Sequence, residues 1–232
     1  MAEFYWGENM SEPSEKTDLS CCTHFGLQFN ESYFENYLRE YRSKGLPAQS
    51  KLIFDYLVSH GIKDHSILEV GSGAGALHMN LVNSGAQRSV GVDASEWANK
   101  AAERLKKEID PSLNSKTIIG EFSKGQQNYG NFSLVIMDRS ICCYPDLNSL
   151  LRSAICHSSD LIAISIPRKL VWIRIGATLI NMVQSLLRKK FRIYVHSEDQ
   201  VDKIFSNNSF RRIYADQTRI WQVVVYQITK TQ

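Results

Sequence analysis

The sequence of this chain predicts an α/β fold built on a mainly parallel sheet, and three observations predict it. Short segments rich in Val, Ile and Leu alternate with longer segments of helical periodicity. The glycine-rich turn "GSGAGA" follows the first apolar segment, and the chain ends in two apolar segments separated by a tight turn. Strand–helix alternation implies parallel strands joined by crossover helices, whereas the tight turn implies an antiparallel hairpin.

The N-terminal part precedes the first predicted strand. Residues 1–20 are rich in Glu, Ser and Asn, which predicts a mobile tail. The segments 30–47 and 48–61 have helical periodicity and end in Gly or Pro. We therefore expect an N-terminal helical lid over residues 21–64, followed by the main domain over residues 65–232.

The main domain alternates strands with helices before it ends in the hairpin. The predicted parallel strands are 65–70, 88–92, 116–120, 132–137 and 159–166. The predicted helices are 76–83, 95–108, 146–157 and 169–188, with a further short helix from 197. The hairpin strands are 209–217 and 219–228. These elements predict a Rossmann-like doubly wound, mainly parallel seven-stranded sheet with a C-terminal antiparallel hairpin, preceded by N-terminal helices.

The net charge of the chain is small but unevenly distributed. A formal charge of +3 is too small to indicate a nucleic-acid partner, so none is predicted. No acidic residue lies between Asp160 and Glu198. The basic residues of that interval are Arg168, Lys169, Arg174, Arg188, Lys189, Lys190 and Arg192. This interval therefore has a strong local positive charge.

The five cysteines occur as Cys21–Cys22, Cys142–Cys143 and Cys156. Without a Cys-x-x-Cys they suit neither a disulfide framework nor a zinc site, so no metal is predicted and a reducing, cytoplasmic location is expected. The first residues also lack the basic start and apolar core of a secretion signal. If the two adjacent pairs meet, they form a site for a thiophilic substrate such as arsenite, but free cysteines are more often small core residues.

The turn after the first strand reads Gly71-Ser72-Gly73-Ala74-Gly75-Ala76. It matches both the G-x-G-x-x-A fingerprint of dinucleotide-binding proteins and the G-x-G-x-G of methyltransferases. In both classes the glycines let the backbone approach a ligand, whose polar groups meet the free N–H groups of the next helix. Asp93 ends the second strand, 22 residues after Gly71, where its carboxylate can accept both hydroxyls of a ribose. The turn and this acid predict a nucleotide-bearing cofactor without choosing between the two classes.

Three features favour a methyltransferase. Glu69 lies inside the end of the first strand, where methyltransferases place an acid near the methionine portion and dinucleotide sites keep an apolar residue. Glu121 ends the third strand, where the adenine amino group would need an acceptor. The terminal hairpin, with no substrate domain after it, also suits a methyltransferase. In order and spacing, "ILEVGSGAG", "VGVDAS", "IIGEF" and "LVIMDRS" resemble the motifs of class I S-adenosylmethionine-dependent methyltransferases over residues 65–228.

The resemblance implies S-adenosyl-L-methionine as the cofactor. The implied cofactor-binding residues are Glu69, Gly71, Ser72, Gly73, Gly75, Asp93, Ala94, Glu121, Phe122, Asp138 and Arg139. Glu121 departs from the family pattern, because an Asp is commoner there. The alternatives are an ordinary strand-to-helix turn, an NAD(P)-dependent oxidoreductase, and a relative of the same fold that binds the cofactor without turnover or acts as a partner subunit.

The segment after the fourth strand bears on the methyl acceptor. It reads "MDRSICCYPD" and lacks the Asp/Asn-Pro-Pro-Tyr/Phe of enzymes that methylate the exocyclic amines of adenine or glutamine. A small-molecule acceptor is therefore predicted. The stretches "DRSICCYPD", "IPRKLVWIRIG" and "FRIYVH" resemble the magnesium-protoporphyrin O-methyltransferase-like group of bacterial methyltransferases. That resemblance implies a small, largely apolar organic acceptor, with oxygen as the expected accepting atom and sulfur and nitrogen as alternatives.

The catalytic candidates project from the C-terminal ends of strands, where ligands of such sheets bind. They are Asp138, Tyr144 and His196. An alcohol, phenol or thiol acceptor would benefit from a base, whereas a carboxylate acceptor needs none. Each candidate also has a structural alternative: Asp138 as a helix cap or ion-pair partner, Tyr144 as packing in a turn, and His196 as a surface loop residue.

The basic interval contains the predicted helix that follows the fifth strand. Residues 170–187 are mostly apolar, but Arg174, Asn181 and Gln184 interrupt them, which argues against a membrane-spanning helix. We expect this helix to form a wall or lid of an apolar acceptor pocket. Basic ends over residues 168–192 would attract an acidic acceptor or an anionic membrane surface, so peripheral membrane contact is a further expectation.

Overall fold

The computed structural model describes residues 28–122 and 128–229. The predicted tail over residues 1–20 and the Cys21–Cys22 pair of the predicted lid therefore lie outside the described residues. Within the described ranges, no helix is long and apolar enough to cross a membrane.

The sheet has seven strands, as the sequence predicts. They are β1 (Ser66–Val70), β2 (Arg88–Asp93), β3 (Ser115–Ile119), β4 (Phe132–Met137), β5 (Ser158–Pro167), β6 (Phe210–Gln217) and β7 (Trp221–Ile228). Their order in the sheet is β3-β2-β1-β4-β5-β7-β6. The first five strands pair in parallel, and β7 pairs antiparallel with both β5 and β6. The predicted C-terminal hairpin is therefore confirmed, with its second strand inside the sheet and its first strand at the edge.

The helices also lie close to their predicted ranges. They are α1 (Glu31–Lys44), α2 (Ala48–Ser59), α3 (Ala76–Asn83), α4 (Glu96–Ile109), α5 (Leu147–Cys156), α6 (Val171–Leu186) and α7 (Glu198–Ser206). Asn30 begins α1, and its side chain accepts a hydrogen bond from the N–H of Tyr33. A short 3₁₀ turn over Ile141–Cys143, which the sequence did not predict, lies between β4 and α5.

Successive side chains of each strand point to opposite faces of the sheet, and both faces are buried under helices. In β4, Leu134 and Ile136 pack on the face covered by α2 and α3, whereas Val135 and Met137 pack on the face covered by α5 and α7. A third cluster joins α1, α3 and α4 beside the sheet. The helices on both faces give the doubly wound arrangement.

The strand order determines where on the sheet a ligand-binding crevice forms. The chain runs outward from β1 to β2 and β3, and then returns to the other side of β1 with β4. Strand order therefore reverses at β1, and a crevice opens at the carboxyl ends of β1 and β4, where open α/β sheets bind ligands.

Candidate functional site

A cavity of about 520 Å³ lies at the carboxyl ends of β1, β2 and β4. The strand ends and the glycine turn form its floor, α1 covers it, and α6 forms one wall. Of the predicted site residues, those that line it are Glu69, Gly71, Ser72, Gly73, Asp93, Ala94, Asp138, Arg139 and Tyr144. The tertiary structure thus brings together most of the residues that the motifs singled out.

The three glycines of the turn, Gly71, Gly73 and Gly75, differ in what a side chain at each position would contact. All three have positive φ, which favours glycine. A Cβ on Gly71 would lie 2.5 Å from the Cβ of Ser140, and one on Gly75 would lie 2.8 Å from Cε1 of His78. A Cβ on Gly73 would meet only Cε1 of Phe34, at 3.6 Å. Gly71 and Gly75 are therefore needed for internal packing, whereas Gly73 leaves space in the cavity itself.

Asp93 connects the end of β2 to the glycine turn. Its Oδ2 accepts a hydrogen bond from the N–H of Gly73 at 2.9 Å, and its Oδ1 accepts one from the N–H of Ser95 at 2.9 Å. Burial raises the pKa of this carboxyl, although the two N–H donors act in the opposite direction. Each oxygen keeps further acceptor capacity, so the carboxylate can also accept ligand hydroxyls.

Glu69 is paired with His78, a residue that the sequence analysis missed. The Nδ1 of His78 lies 2.7 Å from Oε2 of Glu69, and the side chains are 0% and 4% exposed, respectively. Burial raises the pKa of Glu69, while the contact with His78 lowers it. The neighbouring strand makes room for this pair, because a Cβ on Gly91 would lie 2.6 Å from the His78 ring. From the sequence alone, a single His in an apolar helix cannot be recognised as the hydrogen-bond partner of a buried carboxylate, because it looks the same as a His that only packs in the core.

Asp138 is held by two serines that the sequence analysis also missed. Its carboxylate accepts hydrogen bonds from the hydroxyl of Ser50 on α2 and from that of Ser165 on β5, the latter at 2.5 Å. The residue is 8% exposed and lines the cavity. Each carboxylate oxygen of Asp138 already accepts a hydrogen bond from one serine hydroxyl, which fixes the side chain. Asp138 is therefore better suited to accept a hydrogen bond from a bound hydroxyl, or to face a cation, than to act as a mobile base.

Arg139 supplies positive charge to the same cavity. Its backbone has φ of 54° and its N–H donates to Oγ of Ser165 at 2.8 Å. The guanidinium lies over the ring of Tyr37, 5.9 Å from its centroid. Burial acts to lower the pKa of Arg139, but Asp138 and two tyrosines outweigh it and leave the pKa raised. A charged Arg139 can therefore bind a carboxylate in the cavity.

Aromatic residues of α1 cover the cavity. Burial raises the pKa of Tyr33 and that of Tyr37, so both stay neutral phenols. Phe29, just before α1, contacts Phe191 edge-to-face with ring centroids 5.5 Å apart. The segment just before α1 therefore meets the segment after α6. The lid over residues 21–64 stays a prediction.

The three catalytic candidates do not share one location. Asp138 and Tyr144 line the cavity, and Tyr144 is 8% exposed. His196 is not among the lining residues; its Nε2 lies 2.8 Å from the carbonyl oxygen of Tyr144. Since a carbonyl only accepts, that nitrogen carries the proton. His196 therefore holds the Tyr144 loop by this contact, and its catalytic role stays a prediction.

Two predicted adenine-side residues also lie apart from the lining. Phe122 is 1% exposed, and its ring stacks on that of Tyr129 with centroids 5.5 Å apart. Glu121 and Phe122 directly precede residues 123–127, which the structure does not describe. Their assignment to the cofactor stays a prediction.

Cys142 and Cys143 both line the cavity, close to Arg139. Their Sγ atoms lie 3.4 Å and 4.0 Å, respectively, from the carbonyl oxygen of Arg139. Hydrogen bonding to Cys142 and burial raise the pKa of the Cys143 thiol well above its usual value. Cys21 and Cys22, the other half of the thiophilic hypothesis, lie outside the described residues. Among the described residues, no group of three His, Cys, Asp or Glu side chains is arranged to hold a metal ion.

Comparison with known proteins identifies the fold. No protein-family model and no curated protein sequence matches this chain. Magnesium protoporphyrin IX methyltransferase from Synechocystis PCC 6803, crystallised with bound SAH, is 18% identical, and the match covers 89% of this chain and 99% of that chain with a TM-score of 0.70. An O-methyltransferase family protein from Burkholderia thailandensis is 9% identical, with a TM-score of 0.67 over 92% of this chain and 72% of that chain. A SAM-dependent methyltransferase from Aquifex aeolicus is 16% identical, with a TM-score of 0.61 over 87% of this chain and 100% of that chain. The chain therefore has the Rossmann-like fold of these methyltransferases, as its ordered motifs predicted.

Proposed function

We propose that this chain transfers a methyl group from S-adenosylmethionine to a small, largely apolar organic acceptor. One observation carries the proposal. The same cavity has a polar floor, made by the glycine turn with Asp93 and Asp138, and apolar walls made by α1 and α6. A nucleoside-bearing cofactor suits the floor, and an apolar acceptor suits the walls.

The residues present fit this cofactor. Asp93 would accept the ribose hydroxyls, and the space beside Gly73 would admit the ligand close to the backbone. Glu69 and Asp138 would complement the positive charge of the methionine portion, and Arg139 would complement a carboxylate of the methionine portion or of the acceptor. When bound, S-adenosylmethionine supplies an electrophilic methyl group on a sulfonium.

The contribution of the protein to the reaction is positioning and exclusion of water. The aromatic cover from α1 and the apolar wall from α6 would keep water from the reacting atoms. An acceptor carboxylate held by Arg139 needs no base, which agrees with the fixed, doubly hydrogen-bonded state of Asp138. An oxygen acceptor is therefore the form of the reaction that this cavity supports best.

Native mass spectrometry of the purified protein tests the cofactor. A bound mass of S-adenosylmethionine or its demethylated product is the expected result, whereas a dinucleotide mass would replace the proposal with an oxidoreductase. Methyl transfer is then tested with a panel of apolar carboxylic acids, phenols and thiols. Tight cofactor binding without transfer to any of them would favour a cofactor-binding subunit.

Gly73→Val is expected to weaken cofactor binding at least about a hundredfold while the protein stays folded, because the new side chain enters the cavity and not the core. Calorimetric titration with S-adenosylmethionine measures the effect. Gly61→Val is the matched control, since Gly61 also has positive φ and a Cβ there would meet nothing within 4 Å. Equal affinities of the two variants would place the cofactor elsewhere.

Cofactor affinity is expected to fall as the pH is lowered from neutrality, and to do so above the ordinary Asp pKa of 3.8. The reason is that burial raises the pKa of Asp93, and the protonated carboxyl loses its charge-assisted bonds to the ribose. Titrations across this range, repeated with Asp93→Asn, measure the dependence. An unchanged pH profile in the variant would mean that another group is responsible.

A further inference from the structure

Helix α6 carries a long apolar stripe that the described protein leaves uncovered. Val171, Ile175, Leu179, Met182 and Leu186 follow one another at spacings of three and four residues, which places them on one helix face. Their exposed fractions are between 52% and 76%. At about 1.5 Å per residue the stripe is roughly 22 Å long. An apolar surface of this extent on a protein marks an interaction site.

The two other faces of α6 have assigned contacts. One face lines the cavity, through Trp172, Ile173, Gly176, Ala177 and Ile180. The polar face carries Asn181, whose side chain donates to the carbonyl oxygen of Ile193 and accepts from its N–H, each at 2.8 Å. These contacts fix the orientation of the helix. The apolar stripe is thus presented outward by a helix that is anchored on its other sides.

Basic residues lie at both ends of the stripe. Arg168 and Lys169 precede α6, and the cluster Arg188, Lys189 and Lys190 follows it. Lys169 pairs with Asp199, but the cluster of three forms no ion pair with a described residue. Residues 161–197 contain no Asp or Glu, so every charge that α6 and its two flanking segments carry themselves is positive.

We propose that the apolar stripe of α6 docks on the surface of an anionic lipid membrane. An apolar helix face with flanking Lys and Arg lies in the membrane interface, with its apolar side chains below the headgroups and its cations among them. A second copy of this chain fits less well, because two such faces would bring two basic clusters together. The helix lies on the membrane and does not cross it, since no described helix is suited to span.

Docking would place the cavity next to the lipid phase. Trp172 and Ile180 line the cavity and are 50% and 46% exposed, so the cavity reaches the surface beside the stripe. An apolar acceptor dissolved in the bilayer then has a short path to the site. This consequence rests on the proposed function, whereas the docking itself does not.

Co-sedimentation of the full chain with lipid vesicles tests the proposal. Binding is expected with vesicles of phosphatidylcholine and phosphatidylglycerol, and much weaker binding with phosphatidylcholine alone. The pair Leu179→Gln and Leu186→Gln should reduce binding at least about tenfold, because both side chains lose their apolar burial. The matched control is Thr178→Gln with Ser185→Gln, at exposed positions of the polar face, and it should bind as the unchanged protein does.

The charge requirement is tested separately with Arg188→Gln, Lys189→Gln and Lys190→Gln. Each cation near an anionic surface contributes about fivefold in affinity, so the three together should cost roughly a hundredfold. Cofactor affinity of all these variants should stay unchanged, which separates a failure of docking from a failure of the proposed function.

Absence of binding of the full chain to the anionic vesicles would overturn the proposal. An equal loss of vesicle binding in the Leu179→Gln, Leu186→Gln variant and in the Thr178→Gln, Ser185→Gln control would overturn it as well. In either case the same Leu variants identify another occupant of the face. A loss of dimer in velocity sedimentation would assign it to a second copy, and a lower free energy of unfolding would assign it to residues 1–27 of this chain.

Discussion

Asp93→Ala is expected to weaken binding of S-adenosylmethionine by about 1.5–3 kcal/mol, because charge-assisted bonds to the ribose hydroxyls are lost. The structure adds a second cause. The carboxylate of Asp93 also accepts the N–H of Gly73, so its removal frees the glycine turn that faces the ligand. Calorimetric titration of the folded variant measures the change, which corresponds to roughly tenfold to more than a hundredfold in Kd.

Asp110→Ala is the control for this experiment. Asp110 also accepts a backbone N–H, that of Ser112 at 2.8 Å, but it follows α4 and does not line the cavity. Its removal should leave cofactor affinity unchanged. Equal affinity of Asp93→Ala and the unchanged protein would contradict the placement of the ribose at the end of β2.

His78→Leu is expected to lower the free energy of unfolding by about 3–5 kcal/mol at neutral pH, because it leaves the buried Glu69 carboxylate without its partner. The loss should shrink as the pH falls. Burial already raises the pKa of Glu69, so a proton removes the unpaired charge at a pH above the usual carboxyl range. Denaturant unfolding at several pH values measures both effects.

The double variant Glu69→Leu with His78→Leu separates lost pairing from lost packing. Replacing both members of a buried polar pair by apolar residues removes the unpaired carboxylate, so the double variant should be more stable than His78→Leu alone. If the double variant is less stable than the single one, the charge of Glu69 is not the cause of the loss. Either variant reports on the fold without reference to the methyl acceptor.

Much of the fold could be predicted because its determinants are local. The strands β1 to β5 are short Val-, Ile- and Leu-rich segments, and the helices between them have a period that a single segment displays. The glycine turn and Asp93 have a fixed spacing along the chain, since both lie at the ends of adjacent strands. Their meeting at Gly73 follows from that geometry.

The contacts of Glu69, Asp138 and His196 required the tertiary structure. Ser50 and Ser165, which hold Asp138, come from α2 and β5, far from it along the chain. The periodicity of one segment does not show where its side chains point relative to another helix or strand. For the same reason, only the tertiary structure shows that the ring of His196 contacts the backbone of Tyr144.

In helix α6, some properties follow from the sequence of the segment and others only from the tertiary structure. The sequence by itself determined that residues 171–186 form an apolar helix with basic ends, because composition and period are properties of the segment. Only the tertiary structure decided which apolar residues face the cavity and which face outward. That choice depends on how Asn181 and the cavity-lining side chains anchor the helix against the rest of the protein, and it leaves the stripe from Val171 to Leu186 exposed.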